Sequence, residues 1–167
     1  YVSSHFRYHA VSFFAEPLIA AHDPRAVEVY CYADVRTPDE VTDRLRARAD
    51  AWRDIAGQSD EQVAELVRAD QVDILVDLAG HIGGNRLLVF ARKPAPVQVT
   101  YLGYQNTTGM SAMDYRLTDA HAEPVGLTEA SHTETLFRLP DSFFCFQPHD
   151  PPPAVNALPA ATRGYIS

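Results

Sequence analysis

The stretch Val72-Asp73-Ile74-Leu75-Val76-Asp77-Leu78 constrains the fold more than any other part of the chain. It is nearly continuously apolar and too short for a core helix. Such a run suits a strand covered on both faces, the environment of an inner strand in a parallel sheet. The flanking segments alternate as that kind of sheet requires. Residues 27–33 are a short run rich in Val and Tyr, expected as a strand. Thr37-Pro38-Asp39-Glu40 then opens a helix: Thr37 can cap, Pro38 suits the first helical position and Glu40 completes a capping box. Ser59-Asp60-Glu61-Gln62 repeats the signal, and Val63, Leu66 and Val67 supply an apolar stripe behind it. Residues 85–92 suit a short helix stopped at Pro94, residues 97–102 a strand and residues 115–118 another. At the start, Tyr1-Val2-Ser3-Ser4 resembles the tail of a strand. Residues 9–21 follow as a helix with Val11, Phe14, Ala15 and Leu18 on one face. Pro17 lies inside it, which predicts a kink or a late start. Strands alternating with helices imply parallel pairing through right-handed crossovers, so the expected fold is α/β, a doubly wound and mostly parallel sheet.

The 167 residues fit one domain, and 46% hydrophobic residues suffice for its core. A formal net charge of -8, with no Lys/Arg run, argues against nucleic-acid and anionic-membrane partners, which require a basic face. Cys31 and Cys145 form no CxxC pattern. Cys31 lies in an apolar run and is expected as a reduced core thiol, in keeping with a cytoplasmic location. No apolar run reaches the ~18 residues of a membrane helix, and no signal peptide opens the chain. Residues 150–159 contain Pro151, Pro152, Pro153 and Pro159 and are expected as an extended linker, with residues 163–167 opening another strand. The expected division is a lobe at 1–149 and a linker at 150–167. Both ends of the chain look cut.

In open α/β sheets, ligands bind beyond the carboxyl ends of the strands. Three polar loops are expected there: Ser3 to His9 after the first strand, Ala79 to Arg86 after the 72–78 strand, and Gly103 to Gly109 after the 97–102 strand. Gly80 to Gly84 could present backbone N–H groups to an anion or form a simple tight turn. Asn106-Thr107-Thr108-Gly109 is either a capped turn or part of a site. His5, His9 and His81 invite a metal reading, since His5 and His9 at a spacing of four would share a helical face. No Cys or carboxylate is placed to complete the set, so no metal is expected. One imidazole near an acceptor hydroxyl would suffice for base catalysis, while a hydrogen-bonded structural histidine is the other reading.

At these loops the sequence closely resembles the bacterial tetratricopeptide-repeat-linked O-linked N-acetylglucosamine transferases, the SPINDLY-like group. The resemblance rests on Tyr1-Val2-Ser3-Ser4 through His9, residues 72–81, Arg92-Lys93-Pro94-Ala95-Pro96-Val97-Gln98 and Tyr101-Leu102-Gly103-Tyr104. It continues through Met113-Asp114-Tyr115, Thr118-Asp119 and Leu139-Pro140-Asp141-Ser142-Phe143-Phe144. These pieces run in family order over nearly the whole chain. The resemblance implies the N-terminal Rossmann-like lobe of a two-lobed GT-B glycosyltransferase. Such an enzyme moves N-acetylglucosamine from UDP-GlcNAc to Ser or Thr hydroxyls of proteins, with inversion and without a cofactor or an essential metal.

The family places tetratricopeptide repeats upstream to guide protein acceptors, and a downstream lobe that binds most of the sugar nucleotide. The isolated chain is therefore expected to fold without binding UDP tightly or transferring sugar. His9 falls on the family's active-site histidine, a base or sugar contact, and His5 on the position of a candidate proton shuttle. Leu102 and Gly103 fall on the loop lining the sugar pocket, which Tyr104, Thr107 and Thr108 extend; His81 joins this substrate-binding set. Two departures stand out. His5 replaces a frequent Asp and cannot supply its negative charge. Gln105 replaces a usual Pro, which predicts a less rigid loop and a looser pocket. A protein O-fucosyltransferase of the plant SPINDLY type and a degenerate, non-catalytic interaction domain are the alternatives.

Overall fold

The computed structural model describes residues 1–148, 151 and 153–165. Strand and helix alternate through its first two-thirds: β1 Val2–Ser3, α1 Ser12–Ala20, β2 Tyr30–Ala33, α2 Glu40–Arg48, β3 Ala51–Asp54, α3 Asp60–Ala69, β4 Ile74–Asp77, α4 Leu87–Ala91 and β5 Val97–Thr100. β6 Tyr115–Asp119, a 3-10 turn at Glu129–Ser131, β7 Thr135–Leu139 and α5 Pro159–Arg163 follow. The seven strands form one sheet in the order β3-β2-β1-β4-β5-β6-β7, and every adjacent pair is parallel. The strand order reverses at β1, where Val2 pairs with Tyr32 of β2 on one side and Asp77 of β4 on the other. The expected doubly wound sheet is therefore present, and β1/β4 is its switch point.

The pleat sends alternate residues of β2 to opposite faces. Cys31 and Ala33 join Phe6, Val11, Ala15, Ile19, Val41 and Leu45 in one core, beneath α1 and α2. Tyr32 points into the other, with Val63, Val67, Leu75 and Phe90 beneath α3 and α4. Each fully buried Leu or Phe in these layers stabilises by roughly 1.5–3 kcal/mol. Burial pushes the Cys31 thiol up to about 11, so it stays protonated. No helix among the described residues is long and apolar enough to cross a membrane.

Local signals succeeded where their chemistry was unambiguous. Ser59 accepts from the Gln62 amide at 3.2 Å while the Gln62 side chain returns to the Ser59 amide at 2.9 Å, the box expected for α3. At α2 the cap is Asp39 rather than Thr37. Its carboxylate accepts from the amides of Val41 and Thr42, and the Thr42 hydroxyl closes the box in place of Glu40. A carboxylate satisfies two orphan amides at once and complements the helix dipole, so it outcompetes a hydroxyl two positions earlier. Asp39 also accepts from the Tyr8 amide at 2.7 Å, tying this cap to the loop after β1.

The late start predicted for α1 is observed, at Ser12 rather than His9, with Pro17 inside the helix. Proline has no N–H to offer the carbonyl four residues back. That carbonyl, of Phe13, instead accepts from the Gln147 amide at 2.9 Å. The segment after β7 is thereby laid across α1, with Phe144 and Phe146 against the rings of Phe13 and Phe14.

The outer strands β3 and β7 have no counterpart in the sequence reading. Both lie at sheet edges, where one-sided burial leaves patterns such as Ala51-Trp52-Arg53-Asp54 without a clear apolar run. Arg53 is held instead by Asp70, which also receives the Tyr32 hydroxyl. The strand expected at residues 163–167 is not formed at its start: Arg163 ends α5, and Gly164 closes that helix in the left-handed region at φ 73°. Ile166 and Ser167 lie outside the described residues, as do His149, Asp150 and Pro152 of the expected linker. Residues 153–158 have no regular structure, and Pro159 begins α5 rather than ending the linker.

Candidate functional site

The loops after β1, β4 and β5 meet at the carboxyl edge of the sheet, as expected, and they meet too closely to admit side chains at three positions: a Cβ on Gly80 would lie 2.5 Å from that of Tyr104. A Cβ on Gly103 would lie 2.4 Å from the carbonyl oxygen of Ala79, and one on Gly84 would lie 2.8 Å from Ser4 Oγ. Gly84 also has φ +75°, a conformation that disfavours other residues. His81 joins two of the loops: its ring lies edge-on to Tyr104, with centroids 5.4 Å apart, and its Nε2 donates to the Thr108 carbonyl at 2.8 Å.

The turn after β4 is organised by Asp77, which is 1% exposed. It accepts from the amides of Ala79 and Gly80 and from the Thr100 hydroxyl. Burial raises its pKa despite these bonds. The Gly80 amide, the first that a bound anion would need at Gly80 to Gly84, is thus already given to a side chain, which favours the tight-turn reading. Arg86 then bridges to Asp34, Asp60 and the carbonyls of Ile55 and Gln58, joining the ends of β2, β3 and β4.

His5 and His9 lie in the loop after β1 rather than on a helix. Their rings nevertheless stack, with centroids 3.9 Å apart and planes 27° from parallel. Burial, then His9 and Arg7 nearby, lowers the His5 pKa to about 4. Burial and Arg7 also lower that of His9. Both rings are therefore neutral near pH 7. The His9 Nδ1 accepts from the Val11 amide at 3.2 Å. A neutral imidazole that accepts at Nδ1 carries its proton on Nε2, so His9 presents a hydrogen-bond donor there and not a free base. No group of three or more His, Cys, Asp or Glu among the described residues is arranged to hold a metal.

The loop after β5 holds Leu102, buried and at φ 65°, followed by Gly103 and the half-exposed Tyr104. Sequence reasoning missed the two side chains that shape this loop. Arg116 of β6, 2% exposed, donates through Nη1 to the carbonyls of Tyr104 and Asn106 at 3.0 and 3.2 Å. Glu134, just before β7, accepts from the Thr108 amide at 2.6 Å, the Thr107 hydroxyl at 2.7 Å and the Thr108 hydroxyl. The loosening expected from Gln105 is countered by its side chain, which donates to the Leu102 carbonyl at 2.9 Å and accepts from Arg116 at 3.4 Å. Hydrogen bonds across the turn thus do the bracing that a proline ring would supply.

Residues 1–150 match the model of glycosyl transferase family 41. The chain belongs to that family. As a family 41 chain it is 42% identical, over its whole length, to a probable UDP-N-acetylglucosamine–peptide N-acetylglucosaminyltransferase SPINDLY of Petunia hybrida, but covers 18% of that protein. It is 36% identical over 86% of its length to the UDP-N-acetylglucosamine–peptide N-acetylglucosaminyltransferase of Caenorhabditis elegans, covering 13% of it. A solved structure of a mutant Thermobaculum terrenum O-GlcNAc transferase superposes with a TM-score of 0.85 at 52% identity, over 92% of this chain and 29% of that one. The chain therefore spans less than a third of each of these relatives. The doubly wound sheet is the architecture this family 41 member shares with that glycosyltransferase.

Proposed function

We propose that this chain is the N-terminal lobe of the catalytic region of a protein O-GlcNAc transferase. The observation that carries the proposal is the match of residues 1–150 to family 41, in a chain whose His9 lies in the loop after β1, the switch-point strand, stacked on His5 and accepting at Nδ1. In this reading the donor is UDP-GlcNAc and the acceptors are Ser and Thr hydroxyls of proteins. A further lobe of the same polypeptide holds most of the nucleotide, upstream repeats recruit the acceptor, and the location is the cytoplasm.

The reaction forms a bond between the acceptor oxygen and the anomeric carbon while the bond to the diphosphate oxygen breaks. The hydroxyl must be aligned, it must lose one proton, and charge on the departing diphosphate must be stabilised. Here His9 Nε2–H aligns a substrate oxygen by donating to it, and the hydroxyl proton passes to the departing diphosphate, whose oxygen gains negative charge as its bond to the anomeric carbon breaks. Leu102, Gly103, Tyr104, Thr107, Thr108 and His81 line the sugar side. His5 stacks on His9, holds the ring in place and carries no charge at pH 7.

The test is labelled GlcNAc transfer by the longest polypeptide containing this chain, comparing wild type with His9→Ala and His9→Gln. The alanine variant should lose about 100-fold or more, the scale for a lost positioned donor. The glutamine amide can donate from near the Nε2 position but cannot act as a base, so His9→Gln should recover much of that loss. Equal losses would mean the imidazole is the base after all. No transfer by the wild type would sink the transferase reading.

A further inference from the structure

Two ionisable side chains are buried beside the loop after β5 at a cost that the sheet does not require. Arg116 is 2% exposed and Glu134 5% exposed. They do not pair with each other: each spends its hydrogen bonds on the loop. Arg116 holds the Tyr104 and Asn106 carbonyls and reaches Gln105, while Glu134 holds Thr107 and Thr108. From the other side, His81 donates to the Thr108 carbonyl.

The loop also contains a strained residue, Leu102, in the left-handed region at φ 65°. A branched side chain there costs on the order of 1–3 kcal/mol and persists only where its surroundings over-determine it. Buried charges and backbone strain within one short segment at the carboxyl edge are more than a connection between two parallel strands needs. The carboxylate of Glu134 is kept ionised in this setting. Burial works to raise its pKa, but the hydroxyls of Thr108 and Thr107 and the Thr108 amide outweigh it and leave the pKa lowered. A charged acceptor bonds these groups about twice as strongly as a neutral one.

We propose that Glu134 and Arg116 are positioning residues that clamp the 102–109 loop in the shape that receives the donor sugar, and so set how well the enzyme binds its donor and tells it from its epimers. This rests on the transferase reading above. Neither residue touches substrate; each acts through the backbone and side chains of the loop. Glu134 is the more informative of the two, because replacing its charge and replacing its shape can be separated.

The experiment uses the full polypeptide, with Glu134→Gln, Glu134→Ala and Thr108→Val. Glu134→Gln keeps an oxygen for the Thr108 amide; Glu134→Ala keeps nothing; Thr108→Val removes the hydroxyl's bond to Glu134 and its long bond from the Met110 amide, and leaves the buried glutamate in place. Kinetics are read with UDP-GlcNAc and with UDP-GalNAc, well below each variant's Tm, and amide hydrogen exchange is followed over residues 102–109. For Glu134→Ala the kcat/KM for UDP-GlcNAc should fall by about 10- to 100-fold, the scale of a misplaced binding group. The loss should appear mainly in donor KM, with a reduced preference over UDP-GalNAc. Exchange should quicken in the loop and not in β4 or β5. Glu134→Gln should restore most of both readouts, and Thr108→Val should fall between.

A lowered Tm in Glu134→Ala, with loop exchange, donor KM and preference unchanged, would overturn the proposal and leave Glu134 a structural residue. If Glu134→Ala does not fold, Thr108→Val decides: unchanged donor KM and loop exchange in that variant overturn it. If the wild type transfers neither sugar, the transferase reading fails on its own. Exchange in the variants then still decides whether the clamp exists.

Discussion

From β3 to β5 the sheet is sandwiched between helices, α1 and α2 on one face and α3 and α4 on the other. From β5 through β7 the connections contain no helix beyond the 3-10 turn at Glu129–Ser131. The first region is held by interlocking apolar side chains such as Phe6, Leu45, Leu75 and Phe90. Around the second, Arg116, Thr118, Glu123 and Glu134 are buried where a helical half would have placed leucine or valine. Loops, unlike helices, leave carbonyls and amides unpaired, and buried ones must be satisfied. The side chains packed beneath a helix-free edge therefore have to be donors and acceptors. The same feature lets that edge hold a loop in one particular shape, which apolar packing alone does poorly.

The comparison breaks most visibly in the apolar half. Phe90 of α4 is fully buried, and Phe90→Ala should cost about 3–5 kcal/mol, read from the urea midpoint of the 167-residue chain. A loss under 1 kcal/mol would mean that the α3/α4 layer collapses onto the gap and is less rigidly packed than described.

A smaller effect should come from the polar insertion within that half, the His5–His9 stack. The folded pKa of His5 is about 4, below the ~6.5 of an unfolded histidine. As pH falls, the unfolded chain takes up the proton first, so the stability His5 contributes is complete above ~6.5 and is lost on the way down to about 4. Between pH 6.5 and 5, before depressed carboxylates such as Glu129 begin to titrate, the urea midpoint should decline in the wild type and decline less in His5→Asn. Parallel declines would indicate a solvated pair.

The least effect is expected at the far edge. Phe137 of β7 is 53% exposed, and Phe137→Thr should change stability by no more than about 0.5 kcal/mol, which circular dichroism melts of the two chains would check. A larger loss would show that the β7 edge is held by its outward-facing side chains as well as by the polar network.

Legibility followed the same divide. The 72–78 run announced an inner strand, and β4 lies between β1 and β5. The Ser59–Gln62 box, the interruption at Pro17 and the burial of Cys31 were all visible locally. The three loops of the candidate site could be found because each follows a strand of a parallel sheet. The Asp39 cap was misassigned because two residues able to cap, Thr37 and Asp39, stand two positions apart, and their competition is settled by geometry. β3 and β7 went unseen because edge strands bury one side only and blur the pattern. At the site, His5 and His9 were singled out by type, but the helical face imagined for them does not exist; a loop brings the rings together instead.

The sequence by itself determined the alternation of strand and helix, the parallel sheet that follows from it, the start of α3 and the three loops at the carboxyl edge. These depend on periodicity and turn chemistry within a few residues. Only the tertiary structure decided that His9 accepts at Nδ1, that Gln105 braces its turn, and that Arg116 and Glu134 hold the loop after β5. Glu134 and Thr108 are 26 residues apart, and Arg116 and Tyr104 are 12 apart. A lone charged residue in a strand or loop carries no mark of the partner it will meet. The partner is set by which strands become neighbours, and that is fixed only when the two apolar cores close on the sheet.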